Sequence, residues 1–321
     1  VVPVFSTTKG LAGLAMAHAH ARGLYDHDER VAKYWPEFAQ EGKDAITVRQ
    51  LLSHQAGLPL VEGEYTLDAA LDWDTVVEQL ACQAPAWEPG TKHGYHMRTF
   101  GWLVGELIRR VSGSSVGQFL RDEIATPLGL DFWIGLPEEI EPRVARLVPP
   151  KSDMRAALEP YRDKLLLARV FENPGGHFNY DEMWNTRALH ACELPSSNGI
   201  GDARSLARLY AATIGDVDGV RILRDDTVAT ATQEQARGPD AVIMVESRFG
   251  FGFMLGASFG ARNPDHVFGH AGAGGSLAFA DPRAGIGFGY VMNDLRFDPK
   301  GDPRSETLVA ACYESLAASA G

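Results

Sequence analysis

Cysteine is scarce in this chain: Cys82, Cys192 and Cys312 are the whole set in 321 residues. An odd, widely spaced trio makes no disulfide framework, and no C-x-x-C occurs for zinc or redox chemistry. We expect reduced thiols. No apolar run reaches the roughly 18 residues a membrane helix needs, and no basic-then-apolar leader opens the chain. Positive charge is short as well. Lys and Arg number 30 against 42 Asp and Glu, a formal net charge of -12. That argues against a nucleic-acid binder, which needs a basic face to neutralise phosphate, and it says little about small-molecule chemistry. His18 and His20 lie two residues apart, on different helix faces, with no third ligand nearby, so no metal is expected. No repeat, low-complexity tract or clear linker interrupts the chain. What remains is a globular protein with neither nucleic-acid nor membrane partner, no cofactor, an expected cytoplasmic location and an oligomeric state the residues do not specify.

What is present is 45% hydrophobic residues, enough core for one large domain or two smaller ones. Residues 7–22 have helical apolar spacing with Gly23 as a stop, and their Ala and Gly suit a buried helix. A short helix is predicted within 46–59, with Thr47 as N-cap and Gly57 and Pro59 as stops. Further helices are predicted over 72–84, 99–111, 116–124, after Asp202, and over 303–318. Residues 136–200 read as irregular. The alternation at 248–257 predicts one strand, and 275–294 predicts a hairpin around D-P-R-A-G. Central helices with antiparallel strands near the end argue for an α+β fold.

Two serines compete as nucleophile. Ser115 lies in G-S-S-V-G, which fits G-x-S-x-G. That motif needs a strand entering the turn. Here a helix enters, so Gly113 reads as its C-cap and Ser115 as the polar start of the next helix. Ser6-Thr7-Thr8-Lys9 places a serine and a lysine three apart, on one side of a helical turn. A serine hydroxyl needs a neighbouring base, and a helix N-terminus favours a developing anion. S-x-x-K alone is common, and an N-terminal serine beside a solvated lysine is the plain alternative.

Three blocks keep it company: L-L-S-H-Q-A-G-L-P at 51–59, E-P-G-T-K-H-G-Y-H-M with Tyr95, and F-G-H-A-G-A-G-G with His270, Ala271 and Gly272. In this order they resemble the serine β-lactamase and penicillin-binding-protein superfamily, in particular the class C-related branch with the family VIII carboxylesterases. The resemblance implies a β-lactamase-like fold in which an antiparallel sheet domain (1–24 and 215–321) meets a mostly helical domain (25–214, with the irregular insert at 136–200) at the active site. It implies Ser6 as the acylated nucleophile, and Tyr95, as a phenolate or through a proton network shared with Lys9, as the general base and then the acid to the leaving group. It gives the oxyanion hole to the Ser6 and Ala273 amides. A tyrosine with a pKa of about 10 would need Lys9 as an adjacent cation to ionise. His270, Gly272, Met97 and Asn293 would line the substrate site, and Tyr161, Phe171, Phe178, Tyr180 and Trp184 are candidates for its walls.

Two departures shift the expected substrate. Met97 replaces the asparagine of the family's Tyr-x-Asn, and His270 replaces a lysine. Both remove polar recognition of a β-lactam acid. The expectation is therefore a serine carboxylesterase for small to medium acyl esters. A weak side activity on β-lactams is compatible with it, and the alternatives are an amide-cleaving relative (β-lactamase, D-aminopeptidase or another peptidase of the superfamily) and a non-catalytic binding protein. The family's serine follows several dozen residues that contribute strands to the sheet, whereas five precede Ser6. We therefore expect upstream strands to be absent from this chain and a sheet edge to be open.

Overall fold

The computed structural model describes residues 1–256, 259–260, 264–297 and 302–319. Helix α1, Thr7–Ala21, has twelve of its fifteen residues buried. Its small side chains permit this. A Cβ on Gly13 would stand 2.7 Å from the Gly252 carbonyl oxygen, and one on Gly10 2.1 Å from the Tyr210 hydroxyl.

Helix α2, Val48–Leu52, starts as expected, with Thr47 and Gln50 forming a reciprocal capping box. It ends five residues before Gly57. His54 adopts φ +63°, and the carbonyls that follow serve the next loop instead. Gly94 donates to His54 (3.0 Å), Gly90 to Gln55 (3.0 Å) and Ala86 to Gly57 (2.7 Å). Helix α3, Trp73–Cys82, is capped by Asp72. Helix α4, Thr99–Ser112, stops at Gly113 with φ +77°. Helix α5, Val116–Leu120, runs on into a wider π-type turn over Arg121–Ala125. Asp202 caps α6, Ala203–Ile214. Between α5 and α6, short helical pieces such as Met154–Leu158 and Leu166–Val170 give the irregular insert its path.

Strands β1 (Val2–Pro3), β2 (Phe132–Trp133) and β3 (Ile200–Gly201) form a small sheet in the order β1-β3-β2. The main sheet holds β4 (Ala236–Pro239), β5 (Glu246–Phe249), β6 (Met254–Leu255), β7 (Phe268–Ala271), β8 (Leu277–Asp281) and β9 (Ile286–Tyr290). Its strands are antiparallel in sequence order. The single strand predicted at 248–257 is corrected to two, β5 and β6, paired through Phe249 and Met254. Gly252, at φ +86°, turns the chain so that its amide meets the Leu52 carbonyl at 3.0 Å and its backbone packs on Gly13; Ala257 lies outside the described residues. The 275–294 hairpin forms as predicted, its turn held by Asp281 accepting from the Arg283 and Ala284 amides.

Alternation along β8 divides the core. Ala278 and Ala280 face the main cluster, while Leu277 and Phe279 join Val309 and Tyr313 of the terminal helix α7, Pro303–Ser319. Helix α6 presses on β9 so closely that a Cβ on Gly287 would lie 2.3 Å from the Ala211 nitrogen. Strand β9 pairs with β8 alone among the described residues, which leaves an open edge. Among those residues no helix is long and apolar enough to cross a membrane.

Candidate active site

The turn before α1 is bound from several sides. The Val4 amide donates to Gly199 (2.8 Å), and the Val4 carbonyl accepts from Ser276 Oγ (2.6 Å). Thr8 Oγ1 accepts from the Gly199 amide at 2.9 Å. Phe5 then adopts φ +49°, a costly conformation for a bulky residue. Its buried ring holds it there, edge-on to Trp184 (4.7 Å between centroids) and Tyr180 (5.2 Å). The strained turn delivers Ser6 as the N-cap residue of α1 at φ -64°, ψ -10°. The Thr7, Thr8 and Lys9 amides bond to the Val4, Phe5 and Ser6 carbonyls. The helix start is therefore satisfied by backbone, and the half-buried Ser6 side chain makes no capping bond.

Lys9, one turn on, is completely buried. Its Nζ donates to the Met97 carbonyl at 2.6 Å and the Ser196 carbonyl at 3.0 Å, and lies 3.1 Å from Ser6 Oγ. With two N–H groups fixed on carbonyls, a third tetrahedral position points at Ser6. In the ammonium it carries a proton, and in the amine a lone pair. Burial, reinforced by the Arg98 charge, holds the Lys9 pKa well below the ordinary lysine value.

Tyr95 rides on the loop that the 53–59 segment supports. Its amide donates to both oxygens of Asp240 (2.9 and 3.1 Å), a carboxylate that also accepts from the Val242 and Ile243 amides and from Ser247 Oγ. The ring lies 5.1 Å from His54, 6.0 Å from His270 and 6.2 Å from Phe249, with Lys9 Nζ 4.7 Å from its centroid. Burial pushes the Tyr95 hydroxyl well above its ordinary value, opposed by contact with Ser6. Burial thus makes Lys9 the weaker base and Tyr95 the weaker acid, the opposite direction from a Tyr95 drawn down by a Lys9 cation.

Strand β7 closes the other side. A Cβ on Gly272 would stand 2.3 Å from the Val4 carbonyl oxygen and 2.9 Å from Thr7 Oγ1, so the strand end lies against the nucleophile turn. The Ser6 and Ala273 amides have no acceptor among the described residues. His270 Nδ1 meets the Ala271 carbonyl at 2.7 Å, which assigns the proton to Nδ1; Nε2 is buried without a partner. Burial, with Lys9 adding, pulls the His270 pKa down to about 3.

The family model described as Beta-lactamase matches residues 1–311. The chain belongs to the β-lactamase family. It is 35% identical over 306 residues to the "Esterase/beta-lactamase LipL" of Mycobacterium tuberculosis, covering 91% of this chain and 69% of that protein. Its fold is similar to the crystal structure of a family VIII carboxylesterase, with a TM-score of 0.87, 38% identity, and coverage of 97% of this chain and 82% of that one. A penicillin-binding-protein homolog from Caulobacter crescentus gives a TM-score of 0.85 and 40% identity over 98% of this chain and 83% of that one.

Within this β-lactamase fold the structure brings Ser6, Lys9, Tyr95, His270, Gly272 and Ala273 together. Met97 contributes its carbonyl to Lys9, while its side chain joins the core. Asn293 is exposed, and its amide donates to the Arg146 carbonyl at 3.2 Å, a contact outside this cluster. Tyr161 is 49% exposed, whereas Phe171, Phe178, Tyr180 and Trp184 pack below the nucleophile turn. Ser115 caps α5, accepting from the Gln118 amide and donating to Glu193 at 2.6 Å. His18 bonds Glu123, and His20 stacks on His27.

Sequence reasoning missed Asp240, Arg98, His54 and Ser196. Asp240 sits in G-P-D-A-V, where Pro-Asp signals a turn, but nothing local reveals that it holds a backbone amide 145 residues away. The S-H-Q-A-G-L-P block did single out the loop that carries His54.

Proposed function

We propose that the protein is a serine carboxylesterase that works through an acyl-enzyme on Ser6. One observation carries this reading. An uncapped, half-buried serine faces the one unspent position of a buried lysine whose other N–H groups are fixed on carbonyls.

Lys9, as the free amine, accepts the Ser6 proton while Oγ attacks the ester carbonyl carbon. The oxyanion that forms is received by the Ser6 and Ala273 amides. When the tetrahedral species collapses and the C–O bond breaks, the Tyr95 phenol gives its proton to the departing alkoxide and is refilled from the Lys9 ammonium. Water then attacks the acyl-enzyme by the same route in reverse, releasing the carboxylic acid and restoring Ser6. The site on this reading lies between the sheet-bearing part, 1–24 and 215–321, and the helical part, 25–214.

Esters are favoured over β-lactams and other amides by the residues at the two recognition positions. The Met97 side chain offers no amide to a substrate, and the neutral His270 offers no cation to a carboxylate. The likeness to a family VIII carboxylesterase supports this preference, while the name of the Mycobacterium tuberculosis relative carries both esterase and β-lactamase. Comparing kcat/KM on p-nitrophenyl butyrate, nitrocefin and a D-amino-acid amide tests the reading. The ester should lead, and the Ser6→Ala variant should lose that turnover. Retained ester hydrolysis in Ser6→Ala, or a lead for either amide, would overturn it.

A further inference from the structure

Arg98 follows Met97, whose carbonyl holds Lys9 Nζ at 2.6 Å. The side chain is 2% exposed. Its Nη2 donates to the Phe171 and Phe178 carbonyls at 3.0 and 2.6 Å, and its Nε has no partner. The guanidinium carbon lies over the rings of Phe178 (5.1 Å), Trp184 (5.4 Å) and Tyr180 (5.9 Å). No carboxylate pairs with it among the described residues. The acid it senses, Glu172, is engaged by Arg155 at 3.0 Å and Arg162 at 3.6 Å. A guanidinium does not shed its proton to escape burial, and a buried charge without a counter-ion is costly. The Tyr180 side chain also hydrogen-bonds it, but a phenol that burial holds in its neutral form is no counter-ion.

We propose that Arg98 is a positioning residue for acyl transfer: a fixed, unpaired buried cation beside the Lys9 cradle that keeps Lys9 as the free amine. The proposal rests on the reading of Lys9 as the base. The other groups around Lys9 bring no competing charge of their own. Ser6 is a hydroxyl, Met97 and Ser196 present carbonyls, and His54, His96 and His270 are buried histidines whose pKa values are all depressed by burial first. Burial lowers Lys9 first, and Arg98 is the charge that adds to it; burial raises Tyr95, with Tyr180 and Asp240 adding and Arg98 opposing. Removing its charge therefore raises both groups, and the fraction in basic form at a given pH falls.

The test is the pH profile of kcat/KM on p-nitrophenyl butyrate for wild type, Arg98→Lys and Arg98→Gln. We expect the acid limb of Arg98→Gln to move up by on the order of one pH unit, the effect of removing one buried charge from beside the Lys9 cradle. High-pH activity should return to within a few-fold of wild type, and Arg98→Lys should restore the limb. A uniform loss at every pH, or equal profiles for the two variants, would assign Arg98 to tethering the 171–184 insert alone and overturn the proposal. Should Arg98→Gln not fold, Glu172→Gln removes the opposing acid. Its acid limb should move down, and an unmoved or raised limb overturns the proposal. The same profiles read from the rate of fluorophosphonate labelling separate this proposal from the ester assignment, since labelling needs an activated serine and no ester turnover.

Discussion

Ser6 and Ser115 both stand at the start of a helix, yet their surroundings are opposite. Ser115 has extended backbone (φ -61°, ψ 160°), accepts from the Gln118 amide and donates to Glu193, so both functions of its hydroxyl are spent on holding α5. Ser6 is already helical, and the amides it could cap are taken by backbone carbonyls. What frees its oxygen is the strained Phe5, gripped by Trp184 and Tyr180. The contrast teaches that a motif match is secondary to hydrogen-bond partners: the Ser115 hydroxyl is spent on a helix cap and Glu193, whereas the Ser6 hydroxyl meets only Lys9 and Tyr95, the groups proposed to move its proton.

The largest test of this contrast is activity. Ser6→Ala should lower kcat on p-nitrophenyl butyrate by at least about 10³-fold, whereas Ser115→Ala should stay within about twofold. Next comes Tyr95→Phe, which keeps the buried ring and removes the proton donor. A loss of about 10²–10⁴-fold in kcat is expected at nearly unchanged Tm.

The third test is pH. His54, His96 and His270 line the Ser6 side, all buried and with depressed pKa values, His96 near 4 and His270 near 3. Unfolded histidine titrates near about 6.5. Below that pH the unfolded chain binds protons the folded chain refuses. Their stabilisation is thus complete above that value and is lost as pH falls toward the folded values. Thermal scans should show Tm dropping between pH 7 and pH 5, with each histidine contributing on the order of 2 kcal/mol. Replacing His270 with glutamine should reduce the slope.

Smaller still is Asp240→Ala, which strands the Tyr95, Val242 and Ile243 amides and should cost about 2–4 kcal/mol, seen as a Tm loss of roughly 5–10 °C together with lower kcat. The smallest effect is the loss of the cap in Ser115→Ala, about 1 kcal/mol and a Tm fall of about 2–4 °C.

Local signals in the sequence were read correctly because local physics sets them. Thr47 and Asp202 cap helices, Gly113 ends one in a left-handed turn, and D-P-R-A-G closes the β8–β9 hairpin. The Ser6 and Lys9 pairing was legible for the same reason, three residues being one helical turn. The unreadable features are long-range. The break at 250–253 exists because Gly252 must fit against Gly13 and the Leu52 carbonyl. The inversion of the expected Lys9 and Tyr95 acidities comes from complete burial by segments far apart in the chain. Arg98 reads as an ordinary charge until the 171–184 rings close over it.

The central claim is that one of these two serines is activated and the other is structural. Intact-mass measurement after treatment with a fluorophosphonate, followed by peptide mapping, tests it directly. A single adduct on the peptide carrying Ser6, absent in Ser6→Ala and unchanged in Ser115→Ala, is the predicted result. An adduct on Ser115, or an unmodified protein, would contradict it.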